Sequence, residues 1–138
     1  MNNALKLKKK YRKERDKLFQ KLILNNDGFS FNHYHTRLVD KIVIELVKNI
    51  LQTHPLSDFT LIAVGGYGRK DLSPKSDVDL LFIYKKSNKN IRAFITTLNN
   101  SLWDIGLEVG ISFLTIKQAI IDSKKDIKTV TKFAESRH

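Results

Sequence analysis

Two short apolar runs in the middle of the chain, joined by a segment of glycine, proline and serine, constrain the fold most. Phe59–Val64 ends at Gly65-Gly66, and Val78–Tyr84 begins after the joining segment. Apolar runs of this length that are bounded by turn residues are typical of β-strands. The segment between them is predicted to be a loop or a short helix of one or two turns.

Helical and alternating patterns surround these two strands. Apolar residues spaced three and four apart predict helices over residues 4–24, 31–53 and 91–105. Residues 107–114 alternate instead and predict a half-buried strand. Its inward face carries Leu107, Val109, Ile111 and Phe113. Thr115, with Gln118 three residues later, forms a capping-box pattern that opens a helix near 116–122, and Asp126 is placed to cap another.

The order of these elements predicts a mixed α/β (α+β) fold with a small sheet of about three to five strands flanked by helices. The order of the strands within the sheet is left open. The last helical pattern reaches His138 without a glycine or proline stop, which favours a chain cut from a longer one.

Composition limits the kinds of protein and site. The 138 residues suit one domain, and the apolar runs fall short of the roughly 20 residues that cross a bilayer. The lysine-rich start lacks the apolar stretch of a secretion signal, so we expect a cytoplasmic protein without membrane contact. Because the chain has no cysteine, oxygen or imidazole would hold any metal, which favours hard cations such as magnesium.

Positive charge is concentrated at the start of the chain. The net charge is +11, of which residues 1–24 contribute +7. Such a block attracts polyanions, nucleic acid included, but a solvated helix face is the favoured interpretation. We expect residues 1–30 to form a basic helix and linker, and residues 31–138 to form the main domain.

The segment from Gly65-Gly66 to Asp77 and Asp79 carries the chemistry. Adjacent glycines at a strand end permit a sharp turn and a close approach of backbone N–H groups to phosphate oxygens. Asp77 and Asp79, two apart on a strand, project to one side about 6–7 Å apart. The intervening apolar side chains face the core: Val78, Leu80 and Phe82. Neighbouring carboxylates repel unless a cation lies between them, and paired divalent ions support nucleotidyl transfer. The diglycine alone, or the Asp-x-Asp pair alone, would also fit an ordinary turn.

In combination, a diglycine followed after about ten residues by Asp-x-Asp entering an apolar strand resembles the signature of the DNA polymerase β-like nucleotidyltransferases. More narrowly, residues 63–81 resemble the motif of the bifunctional uridylyltransferases that modify the PII nitrogen-signalling protein. Residues 102–110 and Glu135-Ser136-Arg137 are similar to further segments of that family. The resemblance covers about residues 35–137.

The resemblance implies transfer of UMP from UTP to a tyrosine hydroxyl of PII, with release of pyrophosphate and with Mg²⁺ or Mn²⁺ as cofactor. Asp77 and Asp79 would hold the metal ions. Glu108, on the polar face of the alternating strand, is the candidate for a third catalytic carboxylate, although it also fits an ordinary exposed residue. The residues expected to bind the nucleotide are Gly65, Gly66, Arg69 and Ser76. Arg69 also fits a surface ion pair with Asp71.

The family continues through a helical domain, a hydrolase domain that removes the uridylyl group, and two glutamine-sensing domains. The 138 residues contain none of these, so neither removal nor glutamine sensing is expected of them. Two alternatives stay open: a stand-alone nucleotidyltransferase with another protein, RNA or small-molecule acceptor, and a non-catalytic remnant that binds RNA or a protein partner. A role of the basic helix in nucleic-acid binding is not favoured.

Two histidines and the tryptophan are further candidates for a functional role. His33 and His35 are too few for a metal site, and surface or capping roles are expected for them. Trp103 is expected to pack in the core, as a large aromatic on a helix usually does.

Overall fold

The computed structural model describes residues 3–69, 72, 77–86 and 89–125. Their elements, in chain order, are α1 (Asn3–Asn25), α2 (Gly28–Thr53), β1 (Phe59–Val64), α3 (Gly65–Gly68), β2 (Val78–Tyr84), α4 (Lys89–Ile105), β3 (Val109–Thr115) and α5 (Ile116–Lys125). None of the helices in these ranges is long and apolar enough to span a membrane. The predicted mixed α/β fold is confirmed.

The three strands form one mixed sheet with β2 at its centre. β1 runs antiparallel to β2 and places Val64 opposite Asp79, whereas β3 runs parallel to β2 and places Gly110 opposite the same aspartate. The end of β1 and the start of β3 therefore meet on either side of Asp79, near the start of the central strand.

The two faces of the sheet differ in what covers them. Leu80 and Phe82 of β2 join the main core with residues of α2 and α4, as predicted. Leu81 lies in a smaller apolar cluster with Ile62 and Val64. Since side chains alternate along a strand, Asp79 projects to the face of the smaller cluster, away from α2 and α4. The candidate site thus lies on the face opposite the two large helices.

Local hydrogen bonds explain two helix ends. α2 begins three residues earlier than predicted because Asp27 accepts a hydrogen bond from the Ser30 amide at 3.1 Å, which is an N-cap. α4 ends at Ile105 and is followed by Gly106, whose φ of 106° suits glycine. The Gly106 amide donates to the Trp103 carbonyl and the Leu107 amide donates to the Leu102 carbonyl, each at 3.0 Å. This Schellman arrangement turns the chain toward β3.

Two aromatic residues are more exposed than predicted. Trp103 is 51% exposed, so its expected core position is wrong. The core face of α4 runs through Phe94, Leu98 and Leu102, and the next position turns outward. Phe113 is 55% exposed although it lies on the inward-facing side of β3. It lies in the second half of an edge strand, beside Ile91 and Ile95 of α4, and lines a cavity there, whereas Val109 in the first half is buried.

The basic helix α1 contacts both α2 and α4. Leu7 and Tyr11 are 3% exposed and belong to the main core. Lys10 reaches Glu45 of α2 at 3.4 Å, where both side chains are about half exposed. The helix predicted over 4–24 is confirmed. The division of the chain at residue 30 stays a prediction, and the helix predicted after Asp126 lies outside the described residues.

Candidate active site

The site begins where β1 ends in a sharp turn. Gly65 has a φ of 62°, in the left-handed region that glycine occupies without a steric penalty. One turn of helix, α3, follows, and the Arg69 amide closes it by donating to the Gly65 carbonyl at 3.0 Å. The segment between the two strands is predicted to be a loop or a short helix, and its first four residues form one turn of helix.

The carboxylate of Asp79 lies between two glycines. A β-carbon added to Gly65 would stand 3.1 Å from Asp79 Oδ2, and one added to Gly110 would stand 3.2 Å from Oδ1. Both distances are shorter than ordinary van der Waals contact, so either position would crowd the carboxylate if it carried a side chain. The sequence predicts the diglycine beside the aspartates, but Gly110 is missed, since a glycine on the polar side of a strand gives no signal of what lies opposite.

Asp77 and Glu108 lie at the same end of the sheet. Asp77 immediately precedes β2 and is exposed. Glu108 is also exposed, and its carbonyl accepts a hydrogen bond from the Val78 amide at 2.8 Å. β3 begins at Val109, so Glu108 precedes the strand instead of lying within it. Its main chain therefore borders the start of β2, where both aspartates are.

No group of three His, Asp or Glu side chains close enough to hold a metal occurs within residues 3–69, 72, 77–86 and 89–125. The structure thus does not gather Asp77, Asp79 and Glu108 into such a group. The metal-binding role of the two aspartates and the role of Glu108 as third carboxylate stay predictions.

The predicted nucleotide-binding residues are only partly described. Gly65 and Gly66 form the first half of α3, and Arg69 at its end has an exposed side chain. Ser76 and Asp71 lie outside the described residues. The assignment of phosphate binding to this set is therefore still a prediction.

Helix α2 holds the motif from the opposite side. The Tyr67 hydroxyl, in α3, donates to Asp40 Oδ1 at 2.6 Å. Tyr67 itself is buried in the main core. One hydrogen bond between α2 and α3 thus fixes the turn that contains the diglycine.

A second attachment from α2 reaches Leu72, which lies between α3 and Asp77 and is fully buried. The Leu72 amide donates to Thr36 Oγ1 at 3.1 Å, and its carbonyl lies 3.1 Å from His35 Nδ1. His35 is 2% exposed, so the predicted surface or capping role is wrong for it, whereas His33 is exposed as expected. A surface position was expected for His35 because the sequence does not show that Leu72 packs over this part of α2.

Tyr11 of α1 completes this buried network. Its hydroxyl lies 2.9 Å from His35 Nε2. Burial raises the pKa of Tyr11, while the positive charge of Arg15 and a hydrogen bond from it act in the opposite direction. The basic helix is therefore linked, through one histidine, to the main chain between the diglycine and the aspartates.

Comparison with known proteins now defines the class of protein. The family described as "Nucleotidyltransferase domain" matches residues 43–133, which is more than half of the chain and includes the diglycine, both aspartates and Gly110. The chain belongs to this nucleotidyltransferase domain family.

Within that class, the chain is similar to bifunctional uridylyltransferase/uridylyl-removing enzymes. It is 41% identical over 100 residues to the enzyme of Pseudoalteromonas translucida, which covers 72% of this chain and 11% of that enzyme. Identity is 40% over 100 residues with the enzyme of Ectopseudomonas mendocina. It is 41% over 99 residues, or 70% of this chain and 12% of the relative, with that of Bordetella avium. The chain thus spans about one tenth of the length of these relatives.

Proposed function

We propose that this domain transfers a nucleoside monophosphate from a nucleoside triphosphate to a hydroxyl group, using the Asp79 face of the sheet. The observation that carries the proposal is the Asp79 carboxylate held between Gly65 and Gly110, beside the turn at the end of β1. A carboxylate next to a turn without side chains leaves room for a polyphosphate and its metal ion.

The side chains at this end of the sheet fit a hard divalent cation. Asp77 and Asp79 offer carboxylate oxygens, the ligands that Mg²⁺ and Mn²⁺ prefer, and Glu108 is the proposed third carboxylate. When bound, the metal would neutralise the repulsion among carboxylates and phosphates and stabilise the charge on the attacking and leaving oxygens. The two glycines would leave the Asp79 oxygens in the position that binds the metal, because a side chain at Gly65 or Gly110 would displace them.

The nucleotide would be held at the turn. Adjacent glycines at a turn let main-chain N–H groups approach phosphate oxygens closely, so the amides of Gly65 and Gly66 are suited to this role. Arg69 is proposed to add a positive charge there, and Ser76 a hydroxyl. During transfer, a bond forms between the acceptor oxygen and the α-phosphorus, and the bond from that phosphorus to pyrophosphate breaks. The acceptor hydroxyl loses its proton.

The donor and the acceptor come from the family resemblance. UTP is the proposed donor, and a tyrosine of the PII signalling protein is the proposed acceptor. The named activity of the relatives, uridylyl transfer, supports the choice of UTP. The cytoplasm is the proposed location, since nucleoside triphosphates are supplied there. A stand-alone enzyme with a different acceptor would use the same residues.

Titration calorimetry with UTP, in the presence and absence of Mg²⁺, tests the proposal. We expect binding that requires Mg²⁺ and that disappears in an Asp77→Asn/Asp79→Asn double variant, which removes the negative charges and keeps the side-chain size. Asp58→Asn is the matched control, because Asp58 is an exposed aspartate that precedes the opposite end of β1. Unchanged UTP binding in the double variant would contradict the proposed metal site.

A further inference from the structure

We propose that His35 is a positioning residue for the nucleotidyltransferase site, acting through the main chain of Leu72. This role rests on the function proposed above. His35 holds Leu72, which lies in the chain between the diglycine and Asp77, so that these two parts of the motif keep a fixed relation to each other.

Helix α2 provides partners for both main-chain groups of Leu72. The carbonyl bonds to His35 Nδ1 and the amide bonds to Thr36 Oγ1, each at 3.1 Å. All three residues are at most 2% exposed. A buried main-chain group that loses its partner is costly, so this pair of bonds sets where Leu72 lies against α2.

The partners of the two ring nitrogens determine which nitrogen of His35 carries the proton. A carbonyl oxygen only accepts, so Nδ1 carries the proton in the bond to Leu72. In the neutral ring, Nε2 then accepts from the Tyr11 hydroxyl, which lies at 2.9 Å. Both ring nitrogens are thereby used for structure, which argues against His35 as a metal ligand.

Leu72 and Tyr67 both attach the motif to α2. The bond from Tyr67 to Asp40, at 2.6 Å, fixes the turn before Leu72. Asp79 is fixed after it by pairing of β2 with both neighbouring strands. With the Leu72 attachment lost, α2 would no longer fix the position of Leu72 between these two points, and the nucleotide would bind to a less ordered site.

Two substitutions separate positioning from stability. In His35→Asn, the amide nitrogen occupies the place of Nδ1 and can donate to Leu72. In His35→Gln, the amide reaches the place of Nε2 and meets Tyr11 instead. We expect Mg²⁺–UTP affinity to fall at most about threefold in His35→Asn and about tenfold or more in His35→Gln, because only the latter leaves the Leu72 carbonyl without its donor.

If His35 had a purely structural role, the two variants would rank in the opposite order. Glutamine is a better helix former than asparagine, so a residue that only supported α2 would make His35→Gln the less affected variant in both stability and binding. The exposed neighbour His33, changed to Asn and to Gln, is the matched control and should bind Mg²⁺–UTP like the unchanged protein. Thr36→Ser, which keeps the hydroxyl, should retain affinity, whereas Thr36→Val should lose it.

Hydrogen exchange at the Leu72 amide, followed by NMR, reports the attachment without any nucleotide. We expect protection in the unchanged chain and in Thr36→Ser, and faster exchange in Thr36→Val and His35→Gln. Equal UTP affinity in His35→Asn and His35→Gln, with the unchanged chain binding UTP, would overturn the positioning role alone. Failure of the unchanged chain to bind Mg²⁺–UTP would overturn the proposed function, and with it the role of His35 at that site.

Discussion

Space around a single carboxylate decides which residues the site tolerates. Asp79 projects from the central strand, and its two oxygens face Gly65 on one side and Gly110 on the other. Gly65 is constrained twice, because its positive φ also disfavours any residue with a β-carbon. Gly110 is constrained by the carboxylate alone. A substitution at Gly65 should therefore strain the main chain and crowd the carboxylate, whereas a substitution at Gly110 should crowd the carboxylate without straining the main chain.

Gly110→Ala should weaken Mg²⁺-dependent UTP binding by about tenfold, or about 1.4 kcal/mol, with little loss of stability. The added methyl group would stand 3.2 Å from Asp79 Oδ1, so the carboxylate must shift by a few tenths of an ångström. Calorimetry gives the affinity and thermal unfolding gives the stability. Gly28→Ala is the control, since nothing lies within 4 Å of a β-carbon there. Equal affinities in the two variants would show that the Asp79 position does not matter for binding.

Tyr11 should make stability fall at alkaline pH. Burial raises its pKa above the unfolded value of 10.0, so the folded state keeps the hydroxyl proton longer than the unfolded chain does. The stability linked to this proton is complete below about pH 10 and is lost as pH rises through the higher folded pKa. Urea unfolding of the unchanged chain and of Tyr11→Phe between pH 8 and 11 (roughly the range of tyrosine titration) isolates the effect. Parallel curves for the two proteins would contradict it.

Among the elements, α2 is the one that organises the site. It contributes residues such as Val39, Ile42 and Leu46 to the main core, which also contains residues of the sheet and of α4. Further toward its start, it attaches α3 and Leu72 by side-chain hydrogen bonds. Tyr11 of the basic helix α1 hydrogen-bonds to His35 of α2. A helix that looks like a charged extension in the sequence is thus part of the packing on which the site depends.

Leu7→Ala should destabilise the domain by about 2–5 kcal/mol, the usual cost of a large-to-small change in a core. Leu7 is 3% exposed although it lies in the most basic part of the chain. Leu24→Ala, on the same helix at 82% exposure, should change stability by no more than about 0.5 kcal/mol. Chemical unfolding measures both. If Leu7→Ala were as mild as Leu24→Ala, α1 would not be part of the core.

The basic face of α1 also permits a test of the nucleic-acid alternative that leaves the core intact. Lys6, Lys9 and Lys13 are exposed, so changing all three to glutamine removes charge without removing Leu7 or Tyr11. RNA binding through this face would fall steeply with salt and would weaken in the triple variant. We expect weak RNA binding that changes little in the variant. A large, salt-dependent loss would favour the alternative.

At the scale of the whole molecule, local patterns predicted the fold well. The helices and strands follow from periodicity, and the capping box at Thr115 is present, since the Gln118 amide donates to the threonine hydroxyl at 3.1 Å. These features depend on residues close together in the chain, which is why the sequence reveals them.

Features that depend on distant residues were missed. Gly110 meets Asp79 only because β3 pairs in parallel with β2. His35 is buried because Leu72, Tyr11 and Phe31 lie against it. Trp103 is exposed because the apolar face of α4 is complete without it. Strand order and helix packing bring such residues together, and periodicity along one element does not reveal either. Sequence reading therefore located the motif but not the residues that support it.

Paramagnetic broadening by Mn²⁺ in the presence of UTP tests the central claim most directly, because the effect falls steeply with distance from the ion. In amide NMR spectra, titration with Mn²⁺–UTP should first broaden the signals of Gly65, Gly66, Asp79 and Gly110. Signals at the far end of the sheet, from Phe59 and its partner Tyr84, should persist. Broadening that spares the Asp79 region, or that centres on another part of the domain, would contradict a metal and nucleotide site between the two glycines.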